Sequence, residues 1–266
     1  ITIVNIDDDP RYNDYWKGYY EKNKRTGVSI ELARRDVRRK TSLIGALLVE
    51  NGDADGMICG TFGHYQLHLK YVSRVIDKKE GINDFYAMNA VLMQDRNIFI
   101  ADTYIHEDPT AEQLAEMTVL AAEQLRRFSI TPRVALVSHS NFGTSDRASA
   151  VKMRKVHQLL TEMNVDFEFD GEMQGDAALD EHIRANDLPS SNLKGSANLL
   201  ILPTLDASNI AFNLLKTATG SASIGPILLG GSKPVHILTP SATARRVVNM
   251  TALAVTEAQD LESEQQ

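Results

Sequence analysis

The sequence has little of what disulfide-stabilised, membrane-spanning or nucleic-acid-binding proteins need. Cys59 is the single cysteine, so no internal disulfide can form, which fits a reducing compartment. No apolar run reaches the ~18 residues of a membrane span, and the start, ITIVNIDDDP, lacks the features of a signal peptide. The formal net charge of -7 disfavours nucleic-acid and anionic membrane surfaces. We therefore expect a cytoplasmic protein with no nucleic-acid and no membrane partner.

Several common catalytic motifs are also missing. The sequence contains no Walker A loop, no GxGxxG, no GxSxG elbow and no CxxC. Their absence disfavours a phosphate-cleaving NTPase, a Rossmann dehydrogenase and a serine hydrolase. With 266 residues, 43% hydrophobic and 24% charged, the chain can form one large globular domain or two modest ones.

Short apolar runs alternate with amphipathic segments along the chain. The runs 98–101, 134–137, 198–202 and 224–229 are nearly continuous in apolar residues, which is typical of a parallel sheet covered on both faces. ITIVNI predicts a further strand, and because Ile1 is not an initiator methionine we expect the chain to begin inside a longer protein. This alternation predicts a parallel α/β fold with right-handed crossovers.

Helix boundaries are marked by capping residues. Thr110 and Gln113 have the spacing of a capping box, and Asp206 is expected to cap a later helix with an apolar stripe at Ile210, Leu214 and Leu215. The last helix is expected over 241–257, followed by a polar tail that frays.

Two loops carry the candidate chemistry, and the first is SHSNFGTS at 138–145. It follows a predicted strand and precedes a predicted helix, which places it at the carboxyl end of a parallel sheet, where α/β proteins bind ligands. Its hydroxyls and its glycine suit a phosphate or another anion. An ordinary turn with Ser and Thr capping the helix also fits, and the pattern alone favours that turn slightly.

The second loop is DGEMQGDA at 170–177. It has three carboxylates, but their spacing fits neither a calcium loop nor a zinc site, so we expect no metal. A ligand-lining role is as plausible as an N-cap role for Asp176.

A basic run lies in the first part of the chain. It is most often a solvated helix face, although it could also contact a CoA phosphate or an acidic partner domain. Its members are Arg34, Arg35, Arg38, Arg39 and Lys40.

Six stretches, taken together and in order, resemble the phosphate acetyltransferase (phosphotransacetylase) family. They are GDADGMICG from Gly52, DPTAEQLAE from Asp108, SHSNFGTS, DGEMQGDAA from Asp170, GSANLLILPTLDASN from Gly195 and IGPILLGGSKPVHIL from Ile224. The variants SHSNFGTSD, DGEMQGDAALDE and LTPSATARRVVNMTALAV are similar to the C-terminal region of bacterial hybrid NADP-dependent malic enzymes. In those proteins a phosphotransacetylase-like domain follows a malic enzyme domain.

The resemblance implies two α/β/α sandwich domains with mainly parallel sheets, an interdomain CoA-binding cleft and a dimer. The polar stretch 78–83 predicts the boundary. The first expected domain comprises 1–82 plus 241–266: the family's first strand–helix units are missing from it, and the last helix returns to it. The second expected domain comprises 83–240.

Departures from the family pattern bear on activity. The family has a Ser-Arg pair and, six residues after the arginine, an aspartate that can take the thiol proton of CoA. The matching positions here are Thr239, Pro240 and Arg246, so the arginine is lost and the base becomes a cation. A further family arginine is matched by Lys70, which keeps the charge but loses bidentate geometry. The resemblance thus implies a degenerate site with no catalytic residue.

The leading hypothesis is a regulatory domain that binds acetyl-CoA as an inhibitor and mediates oligomerisation. The acetyl-CoA phosphates would lie near 141–145 and Arg245 or Arg246, and the acyl end near Thr239 and Asp176. The positions assigned to this ligand are Ser138, Asn141, Gly143, Thr144, Ser145, Asp176, Thr239, Arg245 and Arg246. No cofactor is expected in this segment, whereas NADP and a divalent metal are expected in the malic enzyme domain. An active phosphate acetyltransferase and a purely structural oligomerisation module are the alternatives.

Overall fold

A computed structural model describes residues 2–264 of the chain. In order, the elements are α1 Tyr12–Asn23, α2 Ile30–Arg39, α3 Thr41–Glu50, β1 Met57–Cys59, α4 Tyr65–Val72, β2 Tyr86–Leu92, β3 Asn97–Ala101, α5 Ala111–Arg127, β4 Arg133–Val137, α6 Ala148–Glu162, β5 Glu168–Met173, α7 Gly175–Leu179, α8 Glu181–Asp187, β6 Leu199–Ile201, α9 Leu205–Ala218, β7 Ala222–Leu229, β8 Val235–Ile237 and α10 Ala244–Glu264. None of the helices within these described residues has the length and apolar character to cross a membrane.

The described chain divides into two compact units. Residues 2–83 and 231–264 form the first unit, and Asp84–Gly230 forms the second. Residues 231–240 group with the first unit, whereas the sequence analysis ended the second domain at residue 240. Strand β8 explains the difference, because it pairs in parallel with β1 of the first unit.

The first unit packs helices around the short parallel pair β1–β8. Helix α3 lies against β1, α4 against β8, and α10 against both strands. The side chains of Leu43, Val72 and Met250 are fully buried there. The buried residues of α3 and α4 recur at helical spacing, so a helix places them on the side that faces the core.

The second unit is built on a six-stranded sheet with the order β5-β4-β6-β3-β2-β7. Strand β2 is antiparallel to β3 and β7, whereas β3, β6, β4 and β5 pair in parallel. The α/β class with mainly parallel sheets is therefore confirmed. The run 224–229 lies in edge strand β7 and pairs antiparallel, so its apolar character does not reflect a position inside a parallel sheet.

One of the two predicted caps is confirmed. The Thr110 hydroxyl accepts from Gln113 N–H and the Gln113 side chain accepts from Thr110 N–H, which completes the capping box of α5. The Asp206 cap was wrong, because Thr204 is the N-cap of α9 and its hydroxyl accepts from Ala207 N–H.

The apolar stripe expected on α9 faces the core only in part. The side chains of Ile210 and Leu214 are 55% and 64% exposed, so these two assignments were wrong, and Phe212 is the buried apolar side chain of this helix. Leu215, the third expected member, is partly buried and packs against the cluster that contains Phe212.

Both ends of the chain differ from expectation. Residues 2–6 form no strand, because no neighbouring strand of the described chain pairs with them, and Ile3 is 88% exposed. The last helix begins at Ala244 and continues to Glu264, so the tail described up to that residue is helical. Glu257, where the helix was expected to end, contacts buried His236 of β8, whose Nε2 lies 2.9 Å from Glu257 Oε2. Residues 1, 265 and 266 lie outside the described residues.

Candidate functional site

The 138–145 loop lies where the sequence analysis expected it, between β4 and α6. Ser138 N–H donates to Met173 O at 2.8 Å, which joins the carboxyl ends of neighbouring strands β4 and β5. The loop turns through Phe142 and Gly143, whose φ angles are 43° and 86°. The glycine suits this position because the left-handed region is open to a residue without Cβ.

The backbone amides of this loop are engaged within the protein. Asn141 N–H donates to Thr144 Oγ1, and Thr144 N–H donates to Asn141 O. Ser145 N–H donates to Ser140 Oγ, and Gly143 N–H donates to a Glu172 carboxylate oxygen at 2.8 Å. An anion at this loop would therefore contact side chains rather than an open cradle of amides.

The alternative interpretation, in which Ser and Thr cap α6, does not describe the loop either. Arg147 is the N-cap residue of α6, and its side chain makes no capping hydrogen bond. The Thr144 and Ser145 hydroxyls instead hydrogen bond to Ser140 and His139, respectively. The Thr144 hydroxyl thus fixes the shape of the loop, and the Ser145 hydroxyl also accepts from the N–H of Arg147 at 3.3 Å, at the start of α6.

Glu172 of β5 is the residue that the 138–145 loop folds around, a role that was not predicted from the sequence. It is 1% exposed, and its Oε1 accepts from Ser140 Oγ, Gly143 N and Arg154 Nη1 at 2.8, 2.8 and 3.0 Å. Its other oxygen, Oε2, has no hydrogen-bond partner among the described residues. Because β5 continues to Met173, Glu172 is a strand residue and not part of the acidic loop that was expected.

Asp176 lies in the first turn of α7 and is exposed. The prediction that it caps the following helix was wrong, because Gln174 is the N-cap of α7. Asp180 caps α8 by accepting from the backbone N–H groups of the next turn. Gln174 N–H donates to Asn141 Oδ1 at 2.7 Å, so the start of α7 contacts the 138–145 loop.

In the first unit, the carboxyl ends of β1 and β8 bring two other segments together. Leu238 N–H donates to Cys59 O at 2.8 Å. A Cβ on Gly60, which has φ +92°, would collide with the Leu238 carbonyl, so only glycine fits this close approach. Thr239 follows at once, and its hydroxyl shares a 3.0 Å hydrogen bond with Ser241 Oγ.

Three of the remaining candidates of this unit are cations, and the fourth is Pro240. Arg245 and Arg246 lie in the first turn of α10, which has no acidic residue, and Arg246 N–H donates to Thr243 Oγ1. Pro240 is an exposed turn residue, and Lys70 lies in α4. Positive side chains at a helix N-terminus add to the positive end of the helix dipole, so this end of α10 attracts anions.

A buried Ser–His pair supports the 60–64 loop, which sequence reasoning missed. His68 Nε2 lies 2.6 Å from Phe62 O, and His68 Nδ1 lies 2.6 Å from Ser42 Oγ. Because a carbonyl can only accept, Nε2 carries the proton and the Ser42 hydroxyl donates to Nδ1. The pair therefore anchors the loop that faces Leu238.

Neither a reactive thiol nor a metal cluster appears in this part of the fold. Burial raises the pKa of Cys59 to about 12, although the Ser42 hydroxyl opposes the shift. Within residues 2–264, no three His, Cys, Asp or Glu side chains are grouped to hold a metal ion.

Solved phosphotransacetylases share this fold. The Streptococcus pyogenes phosphotransacetylase is 28% identical, with a TM-score of 0.90 over 97% of this chain and 79% of that one. The EutD phosphotransacetylase from Staphylococcus aureus has a TM-score of 0.83 with the same two coverages, at 24% identity. The class of protein is therefore a phosphotransacetylase-like α/β protein.

The chain belongs to the phosphate acetyl/butaryl transferase family, because the sequence model of that family matches residues 1–255. It is 51% identical to an NADP-dependent malic enzyme of Salmonella typhimurium over 97% of the chain, which is 34% of that protein. An NAD-dependent malic enzyme of Rhizobium meliloti is also 51% identical, over 33% of its length. A phosphate acetyltransferase of Nitratidesulfovibrio vulgaris is 31% identical over 37% of its length. The chain thus spans about a third of the length of these curated relatives.

Proposed function

We propose that this chain is the regulatory phosphotransacetylase-like part of a malic enzyme, where it binds acetyl-CoA and does not transfer acetyl groups. The greater identity to malic enzymes, 51% against 31% for a phosphate acetyltransferase, supports the first half of this assignment. The second half depends on the first turn of α10.

The observation that carries the loss of catalysis is the cation at Arg246. Arg246 occupies the position that matches the proton-accepting aspartate of the acetyltransferases. The first turn of α10 contains no acidic residue that could replace that aspartate. A guanidinium stays protonated near neutral pH and cannot accept a thiol proton. Pro240 likewise supplies neither a guanidinium nor an N–H where an arginine would hold acetyl phosphate.

The same residues retain the means to bind acetyl-CoA. Arg245 and Arg246 present positive charge at a helix N-terminus, which suits the CoA phosphates. The Thr239 hydroxyl can donate to the acyl carbonyl, and the Ser138 and Asn141 side chains belong to a loop already held in one shape by Glu172. Binding therefore requires little further ordering of that loop.

Regulation follows if acetyl-CoA binds one quaternary arrangement of the parent enzyme more tightly than another. We propose inhibition in a homo-oligomer of cytoplasmic malic enzyme. In that assignment NADP and the divalent metal belong to the malic enzyme part of the protein, and this chain holds neither.

Calorimetry with acetyl-CoA tests binding directly. We expect saturable heat with the unsubstituted protein and at least about tenfold weaker binding for Arg245→Gln with Arg246→Gln, because two charge-assisted contacts to phosphate are lost. The exposed Arg25→Gln is the matched charge control and should bind normally. Absence of heat at millimolar acetyl-CoA would contradict this function.

A second candidate is an active phosphate acetyltransferase, favoured by the 0.90 TM-score with a phosphotransacetylase and by the retained hydroxyl of Thr239. It predicts formation of acetyl-CoA from acetyl phosphate and CoA. We expect no turnover above the uncatalysed rate, and turnover typical of the family would replace the first proposal by this one. The calorimetry separates both from a purely structural module, which would bind no acetyl-CoA.

A further inference from the structure

A basic pocket lies between the first two helices of the chain. Its volume is about 510 Å³, and Tyr12, Asn13 and Trp16 of α1 form one side of it. Four exposed arginines of α2 form the other side: Arg34, Arg35, Arg38 and Arg39. Arg34 and Arg38 are four residues apart, and so are Arg35 and Arg39, so each pair is adjacent on the surface of α2. From the sequence, these arginines were expected to form a solvated face, or to contact a CoA phosphate or an acidic partner domain, and none of them is among the nine positions assigned to acetyl-CoA.

The guanidinium groups of two arginines lie over aromatic rings. The guanidinium carbon of Arg34 is 4.3 Å from the centre of the Trp16 ring, and that of Arg38 is 4.7 Å from the Tyr12 ring. The rings are fixed in turn, since Tyr12 Oη donates to Arg34 O and Trp16 Nε1 donates to Asn13 Oδ1. Stacking uses the face of a guanidinium and leaves its in-plane N–H donors free for a bidentate acceptor.

The pocket has no acidic residue among its lining side chains. The acidic contacts of its arginines are long: Arg38 is 3.8 Å from Asp7, and Arg35 is 3.4 Å from Asp36. Within residues 2–264, neither Arg34 nor Arg39 forms an ion pair within 4.0 Å. Four like charges close together on α2 repel one another, and a multiply charged anion relieves that repulsion.

We propose that this pocket binds the phosphates of a small polyphosphorylated molecule, such as a nucleoside di- or triphosphate. The volume is in the range of small-molecule pockets, about 300–1,000 Å³, and the arginine forks match phosphate oxygens. A concave pocket walled by aromatic rings favours such a ligand over an extended acidic protein segment. Phosphate binding here needs nothing from Thr239 or Arg246, so it is independent of acetyl-CoA regulation.

Tripolyphosphate is the probe, titrated into the intact protein by calorimetry at low salt. We expect Arg34→Gln with Arg38→Gln to weaken its binding at least about tenfold, because two charge-assisted contacts are lost. Arg35→Gln with Arg39→Gln removes the same charge without removing a stacked arginine, so it keeps the test valid if the first pair unfolds. Arg25→Gln is the matched control on the exposed turn after α1 and should change the affinity less than about twofold.

ATP and acetyl-CoA, titrated in the same way, identify the source of the phosphate. Weaker binding of ATP but not of acetyl-CoA by the two double variants supports a site for free nucleotides. Weaker binding of both supports a contact that also reaches the CoA phosphates. Absence of tripolyphosphate binding, an affinity in both double variants equal to that of the unsubstituted protein, or tighter binding of hexaglutamate than of tripolyphosphate overturns the proposal.

Discussion

Glu172 accepts a hydrogen bond from the backbone N–H of Gly143 at 2.8 Å, which joins the end of β5 to the β4–α6 loop. The same oxygen accepts from Arg154 Nη1 at 3.0 Å and from the Ser140 hydroxyl. A loop amide that could have contacted a bound anion thus contacts a carboxylate of the protein itself. Glu172 therefore acts as a built-in anion that keeps the loop folded without a ligand.

Replacing Glu172 by glutamine tests this role. The substitution removes the charge that pairs with Arg154 and leaves a buried amide NH₂ among donors, so we expect the free energy of unfolding to fall by about 2 kcal/mol or more. Urea unfolding measures the loss, and hydrogen exchange should quicken in 138–147. Exposed Glu123→Gln, on α5, is the matched control and should change neither quantity.

An unchanged urea midpoint for Glu172→Gln would show that the buried carboxylate is not needed for the loop. A lower urea midpoint with unchanged hydrogen exchange in 138–147 would show that Glu172 stabilises another part of the second unit rather than this loop. Arg154→Gln should weaken the loop less than Glu172→Gln, because the Arg154 side chain is 32% exposed and Glu172 keeps its other donors.

The sequence predicts those parts of the fold that follow from local patterns. The capping box at Thr110 and the apolar strands β3, β4 and β6 require only neighbouring residues in the sequence. Strand β2 was not predicted, and its direction depends on pairing with β3 and β7, which no local pattern records. The position of the 138–145 loop followed from the same alternation of strands and helices.

Glu172 and His68 could not be found in this way, because their roles depend on contacts distant in sequence. Glu172 contacts a loop about thirty residues earlier, and His68 contacts Ser42 of another helix. No local signal marked Glu172, because β5 reads EFDGEM and its three carboxylates look alike in the sequence, whereas burial of Glu172 depends on the loop packed over it. The prediction that the polar tail frays was wrong for a related reason, because the contact between Glu257 of α10 and His236 of β8 joins residues distant in sequence.

The His236–Glu257 pair is expected to hold the last turns of α10. Glu257→Gln removes the charge from a contact between a side chain that is 1% exposed and one that is 11% exposed. We expect a loss of about 1–3 kcal/mol in the free energy of unfolding and faster hydrogen exchange over 257–264. Glu262→Gln, on the exposed face of the same turns, is the control. Equal exchange in both variants would show that α10 persists without the pair.

The exposed Glu112–Lys155 pair gives α5 and α6 a dependence on acid pH. Its oxygen and nitrogen lie 2.9 Å apart, and Lys155 first, then the helix N-terminus and Thr110, lower the pKa of Glu112 from 4.5 to about 2. A lowered carboxyl pKa stabilises the folded state above the unfolded value, and this contribution disappears as the pH falls from 4.5 towards 2.

Glu112→Gln should therefore lower the urea midpoint at pH 6 and match the unsubstituted protein near pH 2. Both groups are more than half exposed, so the difference should be small and should shrink in high salt. Glu123→Gln on the same helix is the control, with no change expected at either pH. A difference that persisted at pH 2 would show that packing, rather than charge, is responsible.

The raised pKa of Cys59 predicts a thiol that is slow to react in the folded protein. A shift from 9.0 to about 12 lowers the thiolate fraction at pH 8 by about 1,000-fold, and the thiolate is the nucleophile in alkylation. Iodoacetamide labelling, followed by mass, should therefore be far slower in buffer than in urea. In a Cys59→Ala background, Ser73→Cys places a thiol on the exposed surface, and it should react in buffer at nearly the rate seen in urea. Equal labelling rates for Cys59 and the introduced thiol in buffer would mean that the β1 end opens readily beside Leu238.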